Sequence, residues 1–591
     1  MHNLYLEYLM MINYQKRKNT EMFRDLNDKL LISKHQNYIP MYQRFFSLNE
    51  SNYNNVNLNN KWHVNGVIDK LDINSCFKCK LKNSDDNIIK KADAFVKFAP
   101  LLDPFKYLIG KYDIKDKNLF NLPTITSDST NTHDKILDVN NVAYVDGLFS
   151  YLNSMLLNEQ KFIHGVDYYG SFLGIKREFQ INVADDMEFL KKSDFFKKNK
   201  DILFKFDDNY ELEKSPDIKC KPPIKIGNNT SIMSSLSLDS INDDLFEDMF
   251  TDNDSNNDSN NETTCLNDEH AKLNEVLFDF ENMLITSSLK SNSSCSSRSS
   301  HTNDGDEKNN NNDSDSEDVS NDSESDNNSN CSGSYCSESG SSYTEEVIYV
   351  TIPEFPVQVI FMEKCEDTFD NLILSDSLNN DEYISALMQI IMILLTYQKV
   401  FAFTHNDLHT NNVMYNKTKQ EYIFYRYQNR VYKVPTYGRI YKMIDFGRSI
   451  YKVKGKIFCS DSFKNGGDAA TQYNTEPYLD EKKPRVEPNY SFDLCRLACS
   501  IYDYIIDDMD DSMSFKKIIL DMCKDDSGIN LLYKSNGVER YPDFKLYKMI
   551  ARCVHNHTPQ RQLERAEFKQ FEFLGKVKCD IIDIDSYPVL A

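Results

Sequence analysis

Apolar and polar positions alternate in three short runs between residues 61 and 206, HVNGVIDKL, CFKCKLK and ADAFVKFAP. A period of two predicts half-buried strands. A different period follows. Val145, Leu148, Phe149, Leu152, Met155 and Leu156 recur three and four positions apart, which predicts a helix from Val142 to Leu157 with one apolar face. Far downstream, FPVQVIFMEKC reads as a buried strand over 357–362 running into a polar link. A helix over 382–397 comes next, and its stretch from Ile384 to Leu395 is apolar apart from Ser385 and Gln389. That run is too short to span a bilayer comfortably, so it predicts a buried helix and no transmembrane segment. Later, EYIFYRYQNRVYKVPTYGRIY alternates about Gln428 and Asn429, the pattern of an extended hairpin.

Between the two patterned blocks the periodicity disappears. Residues 231–345 hold 26 acidic and 4 basic residues, with too little apolar surface to offset the entropy of ordering. Residues 207–345 are therefore expected to be a disordered, acidic, Asn- and Ser-rich insert. Within it Leu273, Val276, Leu277, Phe280, Met283 and Leu284 fall at helical spacing, enough for a transient helix. The strand at 357–362 needs a sheet to join, and the nearest lies upstream. The insert thus interrupts one α+β fold. Residues 61–206 and 346–365 supply a small sheet with one helix, and residues 366–591 a larger, mostly helical part. Residues 1–60 are set apart as an N-terminal extension.

The insert also accounts for the charge. The whole chain carries 68 Lys and Arg against 91 Asp and Glu, leaving 64 bases and 65 acids outside residues 231–345. The remainder is near neutral and has no basic stripe, which argues against nucleic-acid binding. Fourteen cysteines lack regular spacing. Cys76 and Cys79 form a C-x-x-C pair without the second pair or the histidines that a zinc site needs. The N-terminus has no basic leader and carries Glu7 in its apolar stretch, so the expectation is a reducing, intracellular setting.

Candidate chemistry concentrates in two places. In FTHNDLHTNNVMY, His405, Asp407 and Asn412 satisfy H-x-D-x-x-x-x-N directly after the apolar helix, and YKMIDFGRSI supplies Asp445, Phe446 and Gly447. Phosphoryl transfer needs a carboxylate to accept the proton of the attacking hydroxyl, an amide oxygen and a second carboxylate for Mg²⁺, and a cation on the phosphates. Asp407, Asn412 and Asp445 are suitable types for the first three, because Mg²⁺ prefers oxygen ligands. The two motifs in this order, with Asn412 in register, form a combination that chance explains poorly.

These motifs resemble those of the protein kinase superfamily, and their details resemble the divergent kinases of large DNA viruses. The likeness runs over residues 61–575, interrupted by the insert. It implies a two-lobed fold with a small β-rich lobe and a larger helical one. It further implies transfer of the ATP γ-phosphate, with Mg²⁺, to a serine or threonine of a protein substrate, with no nucleic-acid or membrane partner. By this resemblance Asp407 is the catalytic base, Asn412 and Asp445 are the metal ligands, and Lys97 in AFVKFAP is the phosphate-binding lysine. Met362 becomes a gatekeeper before a hinge through Glu363 to Cys365. Asp493 in SFDLCRLACSIYDYI would brace the catalytic loop, and Arg561 in TPQRQL would be a structural arginine. His405 is expected to pack structurally, and His409, Trp62, Cys495 and Cys499 to carry no chemistry.

The pattern also departs from the family. Upstream of Lys97 only Gly66 stands where G-x-G-x-x-G would cover the phosphates. The partner of Lys97 is open among Asp146, the neighbourhood of Asn153, and Glu159, with Asp146 preferred. Asn406 replaces the arginine that commonly precedes the base, so a phosphorylated segment would lack its usual cationic dock. His409 replaces a lysine and gives H-x-D-L-H, a form shared with small-molecule kinases. In place of A-P-E there are only Thr475-Glu476-Pro477 and Val486-Glu487-Pro488. Two alternatives therefore stand beside the protein kinase: a small-molecule kinase of the aminoglycoside or choline kinase type, and a pseudokinase that binds partners through the acidic tract.

Overall fold

The computed structural model describes residues 12–71, 75–206, 348–507 and 509–591. The acidic tract, and the helix expected within it, lie outside the described residues. The fold is mixed α+β. Its main sheet is antiparallel and curled, built from β1 (Ile32–Gln36), β2 (Trp62–Lys70), β3 (Cys76–Asn83), β4 (Ile89–Pro100), β5 (Tyr168–Asn182) and β6 (Tyr349–Glu363). The spatial order is β1-β5-β6-β4-β3-β2, and Lys205–Phe206 adds a seventh strand against β6. The three alternating runs are β2, β3 and β4. The expected strand at 357–362 lies in β6, whose Ile360 pairs with Lys97 on one side and with Ser171 on the other. Chain from both sides of the tract therefore closes into one sheet.

Of residues 12–60, set apart by sequence, Ile32–Gln36 joins this sheet, and Tyr14–Lys16 pairs with Val56–Leu58 in a separate two-stranded sheet. Ile32 and Ser33 of β1 pair with Lys176 and Ile175 of β5. Helix α1 (Thr20–Lys29) lies over β2, where the Asp25 carboxylate accepts the Val67 N–H at 2.9 Å. Gly66 permits this approach, since a Cβ there would sit 2.9 Å from Asp25 Oδ2.

Helix α2 (Val142–Gln160) begins where the Asn141 side chain accepts the Ala143 N–H, and it ends at Lys161 with φ +54°. It is buried without interruption from Val142 to Leu156, so the single apolar face expected for it understates its packing. One side meets the sheet. On the other, Phe149 packs against Tyr397, Phe401, Phe403 and Phe446. Among its buried polar residues, Asn153 accepts the Tyr397 hydroxyl through Oδ1 at 2.6 Å, while its Nδ2 has no hydrogen-bond partner among the described residues.

Helix α3 (Asn380–Phe401) starts with a reciprocal cap between Asn379 and Glu382 and stops at Ala402 in the left-handed region. It is long and apolar enough to cross a bilayer, yet it is almost wholly buried within the protein. Burying each Leu or Ile contributes about 1.5–3 kcal/mol, so α3 anchors the larger part of the fold. After it come β7 (Val413–Lys417), β8 (Tyr422–Tyr427), β9 (Arg430–Pro435) and β10 (Arg439–Met443), with β7 paired to β10. Strands β8 and β9 form the expected hairpin. Its two-residue turn is Gln428-Asn429, both at positive φ, as a primed turn requires. Helices α4 (Phe492–Ile505), α5 (Ser514–Met522) and α6 (Lys545–Cys553) complete the helical part. Cys76, Cys79, Cys495 and Cys499 are all buried.

Candidate functional site

The long α3 delivers the chain into a loop, 402–412, and β10 delivers it to Asp445. Pairing of β7 with β10 fixes these two segments beside each other, and the Ile444 N–H donates to the Asn412 carbonyl at 3.0 Å. From below, Asp493 near the start of α4 accepts two backbone donors of the loop, His405 N–H and Asn406 N–H, each at 2.9 Å. Those bonds hold Asn406 at φ +64°, a conformation that needs such support in a non-glycine residue. His405 is wholly buried and its Nε2 faces the Ile444 carbonyl at 3.0 Å, so its part is structural, as expected.

Lys97 on β4 reaches across to two carboxylates. Its Nζ lies 2.7 Å from Asp146 Oδ2 on α2 and 2.8 Å from Asp445 Oδ1. This decides among the three possible partners: Asp146 meets Lys97. The other Asp146 oxygen accepts the Phe446 N–H at 2.9 Å, which ties α2 to the residue after Asp445. Phe446 then fills the aromatic cluster around Phe149 and Phe403. Burial alone would depress the lysine, but the two carboxylates outweigh it and hold Lys97 above its usual range. For Asp445, burial is outweighed by Lys97 and the carboxyl sits below its ordinary value. The more enclosed Asp146 goes the other way, raised by burial with Lys97 only partly offsetting it.

Asp407 sits in the same cleft. Burial pushes its carboxyl up, but Arg448, His409 and Arg496, with a hydrogen bond from Tyr547, hold it well below the usual carboxylate range. The Tyr547 hydroxyl donates to Asp407 Oδ1 at 2.8 Å, and Arg448 Nη1 stands 3.7 Å from the same oxygen. Neither Tyr547 nor Arg448 was singled out in the sequence reading. Asn412 is buried and gives its amide N–H groups to the Asp407 carbonyl at 2.9 Å and to His409 Nε2 at 3.1 Å. That orientation leaves the Asn412 carbonyl oxygen as the atom it could offer a cation, although it is Asn411 that lines the cleft. Among the described residues there is no cluster of three or more His, Cys, Asp or Glu able to hold a metal. The donors on offer are the oxygens of Asp445 and Asn412, a set that suits a hard cation drawing its other ligands from water and phosphate.

The cleft has a volume of about 380 Å³ and is lined by Lys97, Asp146, Asp407, Asp445 and Arg448 at its polar end. Phe95, Val166, Met414 and the link from Met362 to Cys365 supply apolar walls. Met362 closes β6, opposite Phe95 and Tyr168. The Glu363 side chain turns away into an ion pair with Lys442 at 3.0 Å and a bond from Asn416, so it is the backbone of Glu363 that borders the cleft. Cys365 is buried at the end of the link.

Gly66 lies mid-strand in β2, beneath α1, where it serves packing. Arg561 donates to its neighbour Asn556, while Glu476 and Glu487 both pair with Arg485.

No known family model matches the chain. An uncharacterized protein, 098R, of Invertebrate iridescent virus 6 is 29% identical over 177 residues, 29% of this chain and 26% of that protein. The chain thus matches about a quarter of that viral relative's length.

Proposed function

We propose that the protein is an ATP- and Mg²⁺-dependent phosphotransferase with a two-lobed, protein-kinase-like fold, acting on serine or threonine hydroxyls of a protein substrate. The observation that carries this reading is the shared ion pair of Lys97 with Asp146 and Asp445, in one cleft with Asp407, whose backbone carbonyl accepts the Asn412 amide. Each chemical requirement has a residue. Lys97 would steady the phosphates. Asn412 and Asp445 would hold Mg²⁺, which when bound neutralises phosphate charge. The link from Met362 to Cys365 would border the base. Asp407, kept ionised, would accept a hydrogen bond from the acceptor hydroxyl and take its proton as the bond to phosphorus forms.

A carboxyl held so far down is a weak base. It suits a reaction in which the hydroxyl is aligned first and the proton leaves late, as a loose phosphoryl-transfer transition state allows. The likeness to a viral protein fits action inside an infected cell. The decisive experiment offers radiolabelled ATP and Mg²⁺ to the full chain with a panel of proteins and small hydroxyl compounds. Label on serine or threonine supports the proposal. Label on a small alcohol alone would make it a small-molecule kinase, and nucleotide binding without transfer would make it a pseudokinase.

A further inference from the structure

We infer that Arg448 is a catalytic residue, the cation that meets the transferred phosphoryl group beside Asp407; this rests on the phosphotransferase reading above. Three cations line the cleft: Lys97, Lys364 and Arg448. Lys97 is spread between Asp146 and Asp445. Lys364 belongs to the link after β6. His409 follows the base by two positions, but its Nε2 is taken up by the Asn412 amide N–H at 3.1 Å. Among the described residues, Arg448 is the cation of the cleft lining that stands 3.7 Å from Asp407, while Arg496 acts on Asp407 from outside that lining.

Its geometry is that of a held but uncommitted group. Nη2 donates to the buried Asp468 at 2.8 Å, which fixes the guanidinium plane. Nη1 lies 3.7 Å from Asp407 Oδ1, too long for a hydrogen bond, and that oxygen already accepts from Tyr547. The Tyr547 ring, with Arg448 at 5.7 Å and Arg496 at 5.0 Å from its centre, keeps the arginine from folding away. In the transfer, the acceptor oxygen bonds to the γ-phosphorus as the bond to the departing ADP oxygen breaks, and the acceptor proton goes to Asp407. Negative charge then gathers on the oxygens between donor and acceptor, where a planar, multi-donor cation is most effective.

The test compares ground-state and transition-state mimics by calorimetry on the full chain. Wild-type protein should bind MgADP at least about tenfold tighter with aluminium fluoride than without it. Arg448→Gln should keep MgATP affinity within about threefold, lose that fluoride gain, and transfer phosphate about 10³-fold more slowly. If Arg448→Gln does not fold, Arg448→Lys preserves the pair with Asp468 and should still lose most of the fluoride gain. A variant that retains the full gain would show that Arg448 only anchors Asp468, and the inference would fall. Wild-type protein that binds no magnesium nucleotide would overturn the phosphotransferase reading itself, and this inference with it.

Discussion

Replacing Lys97 by Met should make stability depend on pH in a direction opposite to ordinary acid denaturation. The substitution leaves two carboxylates, the buried Asp146 and the half-buried Asp445, without their shared cation. Breaking a buried ion pair on one side costs about 3–5 kcal/mol. Asp445 is 29% exposed, so screening sets the expected loss near the lower end, about 3 kcal/mol. The protein can recover part of this by keeping a proton. Asp146 is already raised by burial, and without Lys97 it rises further. Between the ordinary carboxylate value and that raised value, the folded state holds one proton more than the unfolded state. Stability then falls by about 1.4 kcal/mol per pH unit as pH rises through this window. In the wild type Lys97 offsets part of that effect, and its own contribution persists below the ordinary lysine value of 10.5. Thermal unfolding of both proteins from about pH 5 to about pH 8 reads the difference directly. Lys97→Met should melt progressively lower as pH rises, with a steeper slope than wild type, and should lose stabilisation by magnesium nucleotide. A melting temperature that stayed level or climbed with pH would refute the geometry of the shared pair.

Asp407→Asn should lower turnover by roughly 10² to 10⁴ with little change in MgATP affinity, whereas Asp445→Asn should abolish transfer and weaken magnesium-dependent binding; calorimetry with and without Mg²⁺ separates them. Asp493→Asn turns an N–H toward two backbone donors and should cost about 1–3 kcal/mol; hydrogen exchange at His405 and Asn406 should quicken, and unchanged protection there would deny Asp493 its bracing part. Deleting residues 215–340 should leave a folded, nucleotide-stabilised protein, because their composition offers little apolar surface; insoluble expression would contradict this. Phosphatase treatment of purified protein should leave turnover unchanged, and a marked loss would show that a phosphate holds the segment after Asp445.

That last expectation turns on what the sequence left visible and what it hid. Asp407, Asn412 and Asp445 stood out because each sits in a short linear pattern, whereas alternation announced only the strand of Lys97 and the family resemblance picked out the lysine itself. Strand β1 was not, since ISKHQ offers one apolar residue followed by polar ones and joins the sheet only as an edge. Tyr547 was invisible for another reason. Its hydroxyl meets Asp407 across 140 residues, and no local period encodes such a contact. Asn406 was read as a loss, an arginine missing from before the base. The structure gives it partners instead: its amide donates to the Arg448 carbonyl at 3.0 Å and accepts the Tyr473 hydroxyl at 2.8 Å. Further along the same segment, buried Asp461 pairs with Lys135 and accepts the Val142 N–H at 2.9 Å, at the start of the helix that carries Asp146. A carboxylate at a helix N-terminus satisfies open backbone donors and favours the helix dipole. The segment after Asp445 is thus tied to Asp407 through Arg448 and to α2 through Asp461 by groups the chain already carries. A phosphate would duplicate these ties rather than create them, which is why its removal is expected to leave turnover unchanged.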